Sequence, residues 1–279
     1  MNLEESEHYG ISVLMSIYYK EESDNLDCCL KSLFEQTLKA KEIIMVHDGP
    51  LTKELYDCLH FWKKKLPITE VILEKNVGLG RALNIGLDKC NYELVARMDT
   101  DDICVENRFS LQLNEFLDDP DLVICGSSIA EFEGNVSNII SRRRVPENNQ
   151  DILLKCIETN PFNHMTVMYK KSFVVSCGGY LHLPWMEDWY LWLRMLSSGC
   201  KGKNINSDLV FARTGMDMII RRSGLDYIKS EWLLTKIKVN LGLASRRRAF
   251  LIFIKRAAPR VLPKKWLSKF YLISRKIHA

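Results

Sequence analysis

Three carboxylates are gathered in the segment Asp99-Thr100-Asp101-Asp102, directly after the apolar run Leu94-Val95-Ala96. Like charges this close together raise one another's pKa unless a cation or several hydroxyl groups lie among them. Alternate side chains of an extended strand point to one face, so extended geometry would place Asp99 and Asp101 together and Asp102 opposite. The segment therefore predicts a site for one divalent cation and one polar ligand at the end of a buried strand.

Other interpretations of this acidic segment exist. An EF-hand calcium loop is excluded, because its fifth, sixth and twelfth positions would be Ile103, Cys104 and Ser110. A phosphatase with Asp99 as nucleophile and Asp101 as acid stays open, although Ile103 stands where threonine or valine is usual. A solvated acidic turn without a ligand also stays open.

Apolar, β-branched runs alternate with helix-like stretches in the first half of the chain. The predicted strands are 11–18, 43–46, 71–73, 94–98 and 122–125, and the predicted helices between them are 25–38, 51–66, 78–90 and 105–117. Further along, we expect helices over 147–158 and 187–199 and a strand over 165–169. The alternation predicts an α/β fold with a mostly parallel, Rossmann-like sheet covered on both faces. Ligands of such sheets bind beyond the carboxyl ends of the strands, where Asp48 and the acidic segment fall.

Charge is distributed unevenly along the 279 residues, which carry a net charge of +4. After Glu231 there are thirteen lysines and arginines and no acidic residue, whereas residues 1–231 carry 26 basic and 35 acidic side chains. This asymmetry indicates a tail attracted to an anionic surface, either nucleic acid or a membrane. Trp266, Phe270, Ile273 and Ile277 share one helical face, as in a helix lying in a membrane interface. We expect a main domain over 1–215 and a basic, helical, membrane-associating extension over 216–279.

The chain also gives indications of its compartment. Its start, 1–7, is acidic, unlike a secretory signal, and the longest apolar run of the tail, 249–254, is six residues. About 20 apolar residues are needed to span a bilayer, so we expect a cytoplasmic protein without a transmembrane helix. The nine cysteines form no CxxC pair, which predicts reduced, buried thiols rather than disulfides or zinc ligands.

Five segments of this chain form an ordered set of motifs: 11–18 (ISVLMSIY), 46–50 (VHDGP), 76–86 (NVGLGRALNIG), 96–102 (ARMDTDD) and 187–189 (EDW). In this order they resemble the signature segments of family 2 glycosyltransferases. The likeness is greatest to bacterial enzymes that assemble O-antigen, capsule or exopolysaccharide repeat units on a lipid diphosphate. It implies a GT-A fold in a single α/β domain and inverting transfer from a nucleotide-diphosphate sugar.

The resemblance implies that the acidic segment holds the metal. Asp101 would ligate Mn²⁺ or Mg²⁺, Asp99 would share the metal or contact the ribose, and Asp102 would contact the donor sugar or a ligating water. Transfer releases a diphosphate, so a divalent cation would neutralise the charge that develops on the leaving group. Hard oxygen ligands suit these two ions.

The resemblance also implies a set of residues around the nucleotide sugar. Asp48 would contact the uracil ring or the ribose, and Ser16 and Tyr18 would frame the base. The glycine-rich turn into the helix at Gly78 would offer free N–H groups to an anion, and Arg81 would add positive charge. The full set is Ser16, Tyr18, Asp48, Gly78, Arg81, Arg97, Asp99 and Asp102, of which Arg97, on a buried strand, is also expected to pair with a carboxylate.

Inverting transfer needs a base for the acceptor hydroxyl, and a carboxylate is the usual choice. By resemblance the acidic pair Glu187-Asp188 is catalytic, with Asp188 as the base; a structural role at a helix N-terminus is the alternative. His164 and Trp189 would lie on the acceptor side, and Arg213 would meet the diphosphate.

These expectations combine into one function. The chain is expected to be a metal-dependent inverting glycosyltransferase that moves a hexose, galactose or glucose, from a UDP-sugar to an undecaprenyl-diphosphate-linked sugar. The reaction would belong to the assembly of O-antigen (lipopolysaccharide) or related polysaccharide repeat units. It would act as a peripheral protein on the inner face of the cell membrane and bind an anionic membrane surface, not nucleic acid, since no nucleic-acid-binding fold is recognised. A metal-dependent phosphohydrolase or nucleotidyltransferase acting on a sugar nucleotide is the alternative.

Overall fold

The computed structural model describes residues 10–215 and 224–261, so the helix predicted around 266–277 and the proposed boundary at residue 216 lie outside the described residues. The strands are β1 (Ile11–Ile17), β2 (Glu42–His47), β3 (Ile68–Ile72), β4 (Leu94–Arg97), β5 (Ile103–Cys104), β6 (Leu122–Phe132), β7 (Ile139–Arg143), β8 (Met168–Lys170) and β9 (Lys201–Arg213). The helices are α1 (Ser23–Phe34), α2 (Lys53–Trp62), α3 (Leu79–Lys89), α4 (Arg108–Asp118), α5 (Asn149–Lys155), α6 (Lys171–Ser176), α7 (Glu187–Ser197), α8 (Leu225–Asn240) and α9 (Arg246–Ala257).

The nine strands found in the described part of the chain form one sheet, in the order β3-β2-β1-β4-β8-β6-β9-β5, with β7 paired to β6. The first four strands are parallel and joined by helices, as predicted. Beyond them β8 runs antiparallel to β4 and to β6, whereas β9 runs parallel to β6. The predicted α/β fold is confirmed, with a parallel first half and a mixed second half.

Both faces of the central strands are buried, which explains their continuous apolar sequences. Leu14 and Val46 face α3, whereas Met15 and Met45 face the layer that contains α1 and α2. A Cβ at Gly86 of α3 would lie 2.5 Å from Val46 Cγ2 and 2.6 Å from Leu14 Cδ1. Only glycine permits this approach, so α3 lies unusually close to the sheet and its first turn reaches the carboxyl edge.

The second half of the fold departs from the sequence-based prediction. The long strand β9 was not predicted, and β6 extends well beyond residue 125. Exposed Lys201 and Lys203 alternate with buried Gly202 and Asn204, so β9 begins with strand periodicity but without apolar residues. Asn204 is buried because its amide donates to the carbonyl groups of Pro146 and Pro161 at 2.6 and 3.1 Å.

The two C-terminal helices form a hairpin that packs against α7. Glu231 of α8 is buried and accepts hydrogen bonds from Arg256 Nε at 2.9 and 3.0 Å and from Arg260 at 3.1 Å. Although burial opposes it, these arginines hold the pKa of Glu231 below its ordinary value. Lys238 Nζ and the Arg256 guanidinium lie 4.1 and 4.5 Å from the ring centroid of Trp189 in α7. The predicted extension is therefore helical over its described residues and firmly attached.

The cysteines and the lengths of the helices bear on two of the expectations from the sequence. All nine cysteines lie in the described ranges as free thiols, and most of them are buried, which agrees with the predicted burial. Of the helices in those ranges, none combines the length and apolar character needed to cross a membrane.

Replacing Glu231 with alanine is expected to lower the free energy of unfolding by about 3 kcal/mol, because a buried ion pair loses one partner. Urea denaturation followed by circular dichroism measures this loss. The matched control is Glu158→Ala, which removes a half-exposed pair with Arg248 at 3.4 Å and should change stability by less than about 1 kcal/mol. Equal losses in the two variants would contradict the prediction.

Candidate active site

The carboxyl ends of β1, β2 and β4 meet at one edge of the sheet. β1 pairs in parallel with both neighbours, so residues that end these strands are neighbours in space. Ser16 is partly buried near the end of β1 and Tyr18, just beyond it, is exposed, while Asp48 follows β2. Asp99 lies two residues beyond the end of β4. The predicted donor residues therefore border one edge.

The three carboxylates of the acidic segment come together at this edge. One oxygen from each of Asp99, Asp101 and Asp102 lies within 4.8 Å of the other two. Extended geometry ends at Arg97, and Thr100 and Asp101 form a turn. The extended geometry that would have placed Asp102 opposite therefore does not persist, and the turn brings Asp102 back toward its neighbours. We call residues 99–102 the acidic turn.

Two arginines hold the acidic turn in place. Arg97, buried in β4, pairs through Nη2 with Asp99 Oδ1 at 2.5 Å, which confirms the expected ion pair. The backbone N–H of Arg213, at the end of β9, donates to Asp102 Oδ1 at 2.8 Å. The acidic turn is therefore fixed between two strands that are distant in sequence.

Burial and neighbouring charges raise the pKa of two of these carboxyl groups. Burial raises the pKa of Asp101 to about 7, and the charges of Asp99 and Glu21 contribute. Burial, together with Asp101 and Asp99, raises the pKa of Asp102 well above its ordinary value. The Thr100 hydroxyl donates to Glu21 Oε2 at 2.6 Å and so keeps this further carboxylate beside the turn. Such a concentration of negative charge favours a bound cation.

The donor set fits a hard divalent cation. Asp102 Oδ2 is buried and finds no hydrogen-bond partner among the described residues. A buried carboxylate oxygen is costly unless a donor or a cation lies against it, and carboxylates are preferred ligands of Mg²⁺ and Mn²⁺. Asp99, Asp101 and Asp102 can therefore hold the predicted ion.

Arg213 supports the acidic turn with its side chain as well. Its Nε donates to the carbonyl of Asp101 and its Nη1 to the carbonyl of Gly134, both at 3.1 Å. The guanidinium lies 4.7 Å from the ring centroid of Phe132. These contacts hold the Arg213 side chain against the acidic turn, and its contact with the diphosphate stays a prediction.

The Asp48 carboxylate accepts hydrogen bonds from the backbone just before α3. Its Oδ1 accepts the N–H of Val77 at 2.6 Å and its Oδ2 accepts that of Gly78 at 3.1 Å. Gly78 has φ 89°, a left-handed conformation that favours glycine. The expectation that this turn offers free N–H groups to an anion is wrong for Val77 and Gly78, because Asp48 binds both. Contact of Asp48 with the uracil or ribose stays a prediction.

The first turn of α3 lies against the predicted catalytic helix. A Cβ at Gly80 would lie 3.3 Å from Glu187 Cγ and 3.4 Å from Tyr180 Cβ. Asn84, one turn later, accepts the N–H of Tyr180 at 2.7 Å and donates to its carbonyl at 2.8 Å. Arg81 is exposed on the same first turn. These contacts bring the first two turns of α3 and the start of α7 together.

The acidic pair opens α7, as the sequence indicated. Glu187 and Asp188 occupy its first turn, where the helix dipole stabilises negative charge. Asn160 Nδ2 donates to Asp188 Oδ2 at 2.7 Å and so orients this carboxylate. Burial, with a contribution from the charge of Asp188, raises the pKa of Glu187. The geometry is compatible with both the structural and the catalytic interpretation, and the catalytic role stays a prediction.

The buried phenol of Tyr180 lies near enough to both the acidic turn and α7 for their charges to act on it. Burial raises the pKa of its phenol, and the charges of Asp188 and Asp99 add to this shift. His164 Nε2 lies 3.0 Å from the Tyr180 hydroxyl. Burial, and then the charge of Arg97, lower the pKa of His164 well below its ordinary value. Its contact with an acceptor stays a prediction.

Trp189 is a structural residue, and its predicted place on the acceptor side is wrong. It is 3% exposed, and its indole Nε1 donates to the carbonyl of Cys156 at 2.8 Å. Lys238 and Arg256 of the C-terminal hairpin cover its ring. An acceptor cannot reach a ring enclosed in this way.

Three residues that position the site were not singled out from the sequence: Asn84, Asn160 and Tyr180. The paired glycines before Tyr180 are a usable signal, since Gly178 and Gly179 have φ values of 83° and 63° and mark a sharp turn. The two asparagines carry no comparable signal, because their partners are distant in sequence.

Comparison with known proteins identifies the family. The model described as Glycosyl transferase family 2 matches residues 12–175. The amylovoran biosynthesis glycosyltransferase AmsE of Erwinia amylovora is 42% identical over 265 residues, which cover 95% of this chain and 99% of that protein. The UDP-Gal:alpha-D-GlcNAc-diphosphoundecaprenol beta-1,3-galactosyltransferase of Escherichia coli is 40% identical over 220 residues, or 79% of this chain and 80% of that protein.

Solved structures share the fold. TarS 1–349 of S. aureus in complex with UDP-GlcNAc superposes with a TM-score of 0.66 at 18% identity, covering 90% of this chain and 72% of that chain. The mannosyltransferase PcManGT of Pyrobaculum calidifontis, in complex with GDP-Man and Mn²⁺, superposes with a TM-score of 0.61 at 15% identity, covering 97% and 87%. These likenesses confirm the predicted GT-A fold and, at such identities, nothing further. The family model matches more than half of the chain, and the alignment with AmsE covers 95% of it. The chain therefore belongs to glycosyl transferase family 2 and is a glycosyltransferase.

Proposed function

We propose that this enzyme transfers a hexose, galactose or glucose, from a UDP-sugar to a sugar carried on undecaprenyl diphosphate. The observation that carries the proposal is the acidic turn, whose three carboxylates lie within 4.8 Å of one another at the carboxyl edge of the sheet. The resemblance to an Escherichia coli enzyme named for UDP-Gal and a diphosphoundecaprenol acceptor supports both substrate classes.

The acidic turn is proposed to hold the diphosphate of the donor through Mn²⁺ or Mg²⁺. Asp101 and Asp99 would supply ligands, and Asp102 would contact the donor sugar or a ligating water. When bound, the cation neutralises the charge that develops on the leaving diphosphate. Asp48 would contact the base or ribose while it keeps Val77 and Gly78 in place.

Asp188 is proposed as the base of a single inverting displacement. As the acceptor oxygen bonds to the anomeric carbon and the bond to the diphosphate breaks, the hydroxyl proton passes to Asp188. Asn160 donates to Oδ2 of this carboxylate and so holds it in a fixed orientation for the proposed proton transfer. His164 would border the acceptor.

A lipid-linked acceptor places the reaction at a membrane surface. The proposed enzyme is peripheral, on the cytoplasmic face of the cell membrane, and takes part in O-antigen or related lipopolysaccharide assembly. Attraction between the basic C-terminal region and anionic lipids supports this location, because each lysine or arginine near such a surface contributes about 1 kcal/mol.

Asp101→Asn is expected to lower kcat at least about 100-fold, because it removes a charged ligand while keeping the shape of the side chain. UDP release from a UDP-sugar in the presence of acceptor measures the rate. Asp119→Asn is the control, since Asp119 pairs with Lys201 outside the site. Chelation of divalent ions should reduce the parent enzyme to a similar rate, and full activity in chelator would exclude the metal-dependent reaction.

Asp188→Asn is expected to lower kcat by about 10²- to 10⁴-fold with little change in the Kd for the UDP-sugar, because only proton transfer is impaired. Steady-state kinetics and calorimetric titration of the donor separate the two effects. Asn160→Ala, which leaves Asp188 ionisable but unoriented, should cause a smaller loss. A variant Asp188→Asn with parental kcat would refute the assignment of the base.

A donor and acceptor screen tests the reaction itself. UDP-galactose, UDP-glucose and GDP-mannose are incubated with a synthetic diphosphate-linked N-acetylglucosamine that carries a lipid chain, and products are detected by mass spectrometry. We expect a product one hexose heavier from a UDP-sugar only. UDP released at equal rates with and without acceptor would instead identify a hydrolase.

A further inference from the structure

The outer side of the α8–α9 hairpin carries a continuous apolar surface. The rings of Trp232 on α8 and Phe253 on α9 have centroids 5.1 Å apart, and Phe253 lies 6.5 Å from Phe250. Leu251 and Ile254 are exposed on α9 within one helical turn of Phe250. We call these five residues the outer patch: Trp232, Phe250, Leu251, Phe253 and Ile254.

Basic side chains border the outer patch. Lys236 Nζ lies 5.5 Å from the ring centroid of Trp232. Exposed Arg247 lies one turn before Phe250, and exposed Lys255 one turn after Leu251. Between Trp232 and Ala257 the two helices carry no acidic residue, so this part of the hairpin contributes only positive charge to the border of the patch. Aromatic and aliphatic side chains with cations at their border are the chemistry of a helix in an anionic membrane interface.

We infer that the outer patch docks on a bilayer that contains anionic phospholipids. Its apolar side chains enter the level of the acyl chains, while Lys236, Arg247 and Lys255 contact lipid phosphates. A second copy of the chain is a poorer occupant, because a two-fold contact through this patch would bring two basic borders together. The inference goes beyond the proposed transfer reaction and relies on it only for the lipid-linked acceptor.

The inner side of the same hairpin holds the catalytic helix. Glu231 and Arg256 form the buried ion pair between α8 and α9, and Arg256 and Lys238 cover Trp189 of α7. Trp189 directly follows Asp188 in the chain. Docking of the outer patch therefore sets the height and orientation of Asp188 above the bilayer, where a lipid-linked acceptor presents its sugar.

Flotation of the full chain with vesicles tests the inference. Phe250→Glu/Leu251→Glu is expected to lower the partition onto vesicles of phosphatidylglycerol and phosphatidylcholine by at least about tenfold, because two carboxylates replace apolar contacts. Its transfer rate to a water-soluble acceptor analogue should be unchanged. The control Phe61→Glu/Ile72→Glu alters α2 and β3 side chains that are 48% and 65% exposed, against 50% and 69% for Phe250 and Leu251, and should float like the parent.

The inference would be overturned if the outer-patch variant floated as well as the unsubstituted protein. It would also be overturned if the unsubstituted protein bound vesicles of pure phosphatidylcholine as strongly as vesicles that contain phosphatidylglycerol. A third contrary result would be a dimer of the unsubstituted protein that the substitutions dissociate without affecting vesicle binding. If the variant fails to fold, tryptophan fluorescence of the unsubstituted protein, quenched by brominated phosphatidylglycerol, tests the docking instead. Trp232→Phe should remove a quenched component of this fluorescence. The same quenching with and without Trp232 would exclude docking through the outer patch. Failure of the parent to use any lipid-linked acceptor would refute the proposed function and leave the docking result standing.

Discussion

Mutual repulsion among Asp99, Asp101 and Asp102 is the constraint on which the rest of the site depends. Carboxylates can be buried together only where cations or N–H donors lie against them. Arg97 and the backbone of Arg213 meet part of this requirement, yet Asp102 keeps a buried oxygen without a partner among the described residues. Cation binding and folding stability are therefore linked, since any ion that enters the acidic turn also stabilises the native chain.

Contacts within the protein hold the segment between Asp48 and α3 in place. Asp48 already binds the N–H groups of Val77 and Gly78, and the close approach at Gly86 holds α3 at a fixed height on the sheet. Asn84 then fixes the chain at Tyr180. A binding site ordered during folding does not lose that conformational entropy again when the nucleotide binds.

The sequence was informative where local pattern and topology agree. The strands β1, β2 and β4 are continuous apolar runs between helical stretches, so their parallel arrangement and the location of the acidic turn at a carboxyl end could be predicted. The direction of Asp102 could not, because it depends on a turn at Thr100 that the extended pattern does not indicate. Trp189 was misassigned because the cations that cover it come from helices distant in sequence.

The packing of the α8–α9 hairpin over Trp189 also limits where two relatives can be joined in a chimera. Lys238 and Arg256 of the α8–α9 hairpin cover the aromatic ring of Trp189 in α7, so the hairpin packs as part of the same body as α7 and not as an independent module. A chimera joined near residue 215 would place the Lys238 and Arg256 of one relative against the Trp189 of another. Exchange of acceptor preference between relatives is therefore expected to follow crossovers that keep α7, α8 and α9 from a single ancestor.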